Sequence, residues 1–100
     1  MEDNDLFYAD ILNDLLSILG QTWWITSEVF NDQKYFFLKY GGLIFCSGKG
    51  YYKLLCKFVE FSNSKEFKNV IPDFLKVSSI EELCVQIDLH YKYVNKIKPF

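Results

Sequence analysis

The residues able to do chemistry are few and badly spaced for it. A chain of 100 residues carries one histidine, His90, and three cysteines, Cys46, Cys56 and Cys84. A thiolate nucleophile or a zinc corner built from Cys84 and His90 needs both on one helical face, and hence a spacing of three or four residues. Theirs is six. A zinc set would also have to recruit Cys46 and Cys56 from elsewhere in the chain. His90 therefore reads as a boundary residue with its ring half packed, and the odd, scattered cysteines read as reduced, buried thiols. Gly42, Gly48 and Lys49 imitate a phosphate loop, but five residues intervene where four are required. Gly50 stands where Ser or Thr would hold magnesium, so these glycines are assigned to tight turns. Asp10 and Asp14, one helical turn apart, read as a solvated acidic face, with a basic partner as the minority interpretation. No nucleophile–base pair and no metal cluster assembles from these spacings, so the expectation is a protein that is not an enzyme and takes no cofactor and no metal.

Composition narrows the classes further. Half the residues are apolar and 24% are charged, which suits one globular domain spanning 1–100. All eleven basic residues are lysine, and the net charge is −2. Without arginine the bidentate fork that reads guanine and phosphate is missing, so specific duplex readout is disfavoured. Asp10 and Asp14 interrupt the first apolar stretch, and the apolar runs fall far short of the roughly 20 residues that span a bilayer. A cytoplasmic protein without membrane association is expected. Abundant Lys, Asn, Ile, Phe and Tyr with scarce Ala suggest an AT-rich coding sequence, compatible with a low-GC bacterium, a phage or a mobile element.

The elements follow from periodicity. Tyr8, Ile11, Leu12, Leu15, Ile18 and Leu19 recur at helical spacing, with Asp3 or Asn4 as cap and Gly20 at the C′ position. From Thr22 to Ser47 the pattern turns to strands broken at Asn31-Asp32 and Gly41-Gly42, two candidate two-residue hairpins. If both are tight, Trp23 pairs with Tyr40, Ile25 with Leu38, Ser27 with Phe36 and Val29 with Lys34 on a core face. The other face pairs Trp24 with Lys39, Thr26 with Phe37 and Glu28 with Tyr35, and adds Ile44 and Cys46. Tyr51–Phe61 is read as a fourth strand, entered through a bulge at the glycines that turns Tyr52, Leu54, Cys56 and Phe58 inward. The same segment also fits a helix through Tyr51, Leu54, Leu55, Phe58 and Val59. Residues 62–69 read as loop, Pro72 as a stop before a short edge strand or irregular segment, and a capping box at Ser78–Glu81 or Ser79–Glu82 as the start of a last helix. That helix carries Ile80, Leu83, Cys84, Ile87, Tyr91 and Val94, with Lys92 and Lys96 near its end and a frayed tail to Phe100. The expected fold is α+β, a two-layer domain of helix, three- to four-strand antiparallel meander and helix, with both terminal helices on the Trp23 face.

Nineteen aromatic residues are more than one small core readily hides. Adjacent Trp23 and Trp24 must point to opposite faces of the sheet, so covering one leaves the other needing separate cover. The outer face of Trp24, Glu28, Tyr35, Phe37 and Lys39, rimmed also by Lys53 and Lys57, has the make-up of a binding surface. The sequence points to a small protein-interaction module of inhibitor, immunity or adaptor type, acting on a protein partner or as a homodimer. Single-stranded nucleic acid, stacked on the rings beside lysines, is the alternative.

Overall fold

The computed structural model describes the backbone of residues 2–97 and the side chains of residues 6–91. Helix α1 spans Glu2–Leu19, followed by strands β1 (Trp23–Phe30), β2 (Gln33–Tyr40) and β3 (Leu43–Gly48), helix α2 (Tyr51–Ser62), two 3-10 turns at Lys65–Phe67 and Asp73–Leu75, and helix α3 (Ile80–Ile97). The three strands form an antiparallel meander in sequence order, giving a small α+β domain.

Helix α1 starts at Glu2, ahead of the expected caps Asp3 and Asn4, and ends where Gly20 takes φ 100° and donates its N–H to the Leu16 carbonyl at 3.0 Å. Its Leu12 and Leu15 are buried. The first hairpin turns on Asn31 and Asp32 with φ of 53° and 63°, the paired left-handed residues that match the twist of two-residue hairpins. The register is the expected one: Trp23 opposite Tyr40, Ile25 opposite Leu38, Ser27 opposite Phe36, Val29 opposite Lys34. Trp23, Phe36 and Leu38 are buried, so this face is the core.

Strand β3 departs from strict alternation. Ile44 lies opposite Lys39 but Cys46 lies opposite Leu38, leaving Phe45 as an extra residue in a bulge. Two consecutive apolar side chains, Phe45 and Cys46, thereby turn inward together. Cys46 belongs to the core, not to the outer face with Ile44. Phe45 is the aromatic centre of that core, its ring centroid 5.1 Å from Trp23, 5.6 Å from Phe58 and 4.5 Å from Phe67.

Tyr51–Ser62 is a helix, which overturns the fourth strand. The reason is in the spacing of what is buried: Leu54, Leu55, Phe58 and Ser62 share one helical face, whereas a strand would have sent the neighbours Leu54 and Leu55 to opposite sides. Tyr52, expected inward, is 48% exposed. Helix α2 packs directly on β3 and β2. The approach is close because Gly48 has no side chain: a Cβ there would sit 2.6 Å from the Leu54 nitrogen and 2.8 Å from the Lys53 carbonyl carbon.

The segment after α2 contains no strand. Ile71, Leu75 and Val77 are buried, and Asn63 Nδ2 donates to the Val77 carbonyl at 2.9 Å, tying the loop to the end of α2. At α3, Ser79 Oγ accepts from the Glu82 N–H at 3.1 Å while Glu82 Oε1 accepts from the Ser78 N–H at 2.9 Å, a capping box with its return bond one residue early. Leu83 and Ile87 face the core. The chief neighbours of α3 are α1, α2 and the turn at 73–75, so it backs the other helices and is not, as expected, laid on the Trp23 face. The side chains of Val94, Lys92 and Lys96 and the tail at 98–100 lie outside the described residues.

Two substitutions test this packing by urea unfolding. Trp23→Ala should cost roughly 3–5 kcal/mol, the usual loss for a buried aromatic. Gly48→Ala should cost about 1–3 kcal/mol, because backbone and not a flexible side chain stands in the way.

Candidate binding surface on the outer sheet face

The alternation that buries Trp23 sends Trp24 to the opposite side, where it is 41% exposed against 5% for Trp23. Cross-strand pairs then assemble all five expected residues on one face: Trp24 opposite Lys39, Thr26 opposite Phe37, Glu28 opposite Tyr35. Glu28 is exposed, and Tyr35, Phe37 and Lys39 are half-buried. Trp24, Tyr35 and Phe37 belong neither to the core nor to the partly buried side chains packed against it. Their partial burial is that of rings lying among neighbours on a sheet.

The surface extends beyond the expected set. Ile44, 57% exposed, lies opposite Lys39, and Phe30, 66% exposed, shares the parity of Trp24 at the hairpin tip. Lys49, from the turn between β3 and α2, places its Nζ 6.0 Å from the Tyr35 ring centroid. Sequence reasoning missed Lys49 because it assigned that turn to a hairpin. Lys53 and Lys57 are the corresponding overcount. They ride on α2, in the helical layer behind the sheet, where Lys57 pairs with Glu60 at 3.5 Å and lies 5.9 Å from the Phe61 ring.

The other candidates do not converge. The His90 ring stacks on Phe74 with centroids 3.7 Å apart, a packed boundary position. Cys46 points its thiol at the Leu54 carbonyl, 3.8 Å away, and burial pushes it up from 9.0 to about 12 against a smaller downward pull from Lys57. It stays protonated, and is no nucleophile. Cys84 is also raised, by burial first and then by Glu81 and Asp88. Asp10 is exposed, while Asp14 is half-buried and raised by burial, then by Asp10 and Asp88. Among the described residues no group of His, Cys, Asp and Glu could hold a metal ion. A shallow cleft of about 470 Å³ lies between the Phe36–Tyr51 stack and the side chains of Lys34 and Lys49.

No family model, no curated protein and no solved structure matches the chain.

Two tests follow from the titrating groups. In the folded protein at pH 8, iodoacetamide should label the half-buried Cys56 and Cys84 well before Cys46, which should react only once urea unfolds the chain, as read by peptide mass. Asp14, held above its ordinary value, keeps its proton more tightly folded than unfolded, so its ionisation costs stability. That cost is absent below 3.8 and grows as pH rises through the folded value. Asp14→Asn should raise Tm at pH 7, with the gain disappearing below the ordinary carboxylate range.

Proposed function

We propose that this protein is a non-enzymatic, cytoplasmic protein-interaction module of inhibitor, immunity or adaptor type, which acts by occupying a surface of a protein partner with its outer sheet face. The supporting observation is Trp24: a large ring on the edge strand of a register-defined face, outside the core, on the same side of the sheet as Phe37, Tyr35 and Ile44. Glu28 on the edge strand, Lys49 at the turn after β3 and Lys39 between Trp24 and Ile44 give that apolar patch charges of both signs, the mixed make-up of an interaction surface. Among the described residues no helix is long and apolar enough to cross a membrane.

Mixed charge on the face favours a protein over a nucleic acid. Binding to single strands draws on lysines that release counterions from phosphates, and here Lys39 shares its face with Glu28 on a chain of net charge −2.

The test is affinity capture from the organism that encodes the protein, comparing wild type with Trp24→Ala. The variant should unfold within about 0.5 kcal/mol of wild type, as an exposed side chain does. It should lose upwards of about 2 kcal/mol of partner affinity, as aromatic hot spots do. Identical capture by both proteins would overturn the proposal. So would steeply salt-dependent binding of mixed single-stranded oligonucleotides with quenched Trp24 fluorescence.

A further inference from the structure

The free edge of β1 carries a pattern that the outer face does not explain. In the two-residue hairpin at Asn31-Asp32, Phe30 and Gln33 form the hydrogen-bonded pair that closes the turn. Even-numbered residues of β1 therefore bond to β2, and odd-numbered ones aim their N–H and C=O groups away from it. At the other end, the Gly41 N–H donating to the Thr22 carbonyl at 2.9 Å keeps the same parity. The Trp23 N–H is taken by the Gly20 carbonyl at 3.2 Å. Ile25, Ser27 and Val29 are left, and among the described residues no backbone group outside the sheet bonds to them.

Proteins commonly blunt such an edge with lysine, proline, a bulge or a short strand. Strand β3 at the opposite edge has six residues, a bulge at Phe45 and α2 packed against it. Strand β1 has eight residues with an unbroken register, no proline and no lysine, and a single charge at Glu28. Its last two residues are apolar and open: Val29 is 69% and Phe30 66% exposed.

We infer that β1 pairs antiparallel with β1 of a second copy, about a two-fold axis at Ser27, to make one continuous six-stranded sheet. In this register Ser27 faces Ser27 of the second copy and Ile25 faces Val29, and these are the residues whose backbone groups are free. Trp24 faces Phe30 and Thr26 faces Glu28, so each exposed apolar side chain meets an apolar one and the carboxylate meets a hydroxyl. Neighbouring registers fail on the same groups. Centring on Thr26 sets Trp24 against Glu28 and calls on the Trp23 N–H, which is already bonded to Gly20. Centring on Glu28 sets the two carboxylates directly opposite each other. The inference does not depend on the outer face being a partner site, since Ser27 and the free backbone groups lie outside that face.

Sedimentation equilibrium from micromolar to millimolar concentration tests it. Wild type should pass from 11.9 kDa to twice that mass. Ser27→Pro should remain a monomer with an unchanged circular dichroism spectrum, because the N–H it removes points away from β2. Ser27→Thr should dimerise like wild type. Should the proline variant fail to fold, Val29→Lys serves the same purpose from an exposed position. Amide exchange supplies the register: the Ile25, Ser27 and Val29 amides should gain at least about tenfold protection as the dimer fills. A wild type that stays monomeric throughout would overturn the inference. So would a dimer indifferent to both substitutions, or one in which those three amides exchange freely. Ser27→Pro leaves every outer-face side chain in place, so partner capture through Trp24 should survive it and the two proposals fail separately.

Discussion

The rest of the molecule depends on the odd–even alternation of β1, held in register by a hairpin that offers no slack. Asn31 and Asp32 both adopt positive φ, the loop is two residues long, and β1 and β2 therefore pair without offset over eight residues. A one-residue slip of β1 would exchange Trp23 for Trp24 in the core, and one of β2 would bring Lys39 in for Leu38. The first would remove a ring from Phe45 and the second would bury an unpaired ammonium. The register is thus a discrete choice, and once it is made the chain has committed one tryptophan to each side.

The core side is then closed by aromatic packing around Phe45. Trp23, Phe58, Phe61 and Phe67 reach it from β1, α2 and the turn after α2, so elements distant in sequence converge on one bulged strand. Gly48 lets the α2 backbone come close enough for Leu54 and Leu55 to complete the layer. With α1 and α3 behind, this side is saturated. The outer rings have no place in it, and their exposure is a consequence of the same close packing.

Local rules made much of this legible from the residues. The Asn31-Asp32 and Gly41-Gly42 loops dictated the first hairpin and the start of the second, the 3.6-residue stripe gave α1, and Ser79 with Glu82 marked the start of α3. The outer-face set of Trp24, Glu28, Tyr35, Phe37 and Lys39 followed from register alone. What escaped depends on tertiary packing. Tyr51–Ser62 carries both a period of two and a helical stripe, and the demand to bury both Leu54 and Leu55 decides for the helix. The bulge that turns Cys46 inward has no turn residue to announce it, and answers the need to bury Phe45 and Cys46 together. Lys49 and Lys57 exchanged roles because each depends on where α2 begins.

The central claim is that one of two adjacent tryptophans builds the core while the other is free to bind. Fluorine NMR of the 5-fluorotryptophan protein reads both residues at once, with each resonance assigned by substitution. The Trp24 signal should shift between light and heavy water and move or broaden when captured partner is added, while the Trp23 signal responds to neither. Equal solvent shielding of both signals, or a partner response confined to Trp23, would contradict the account.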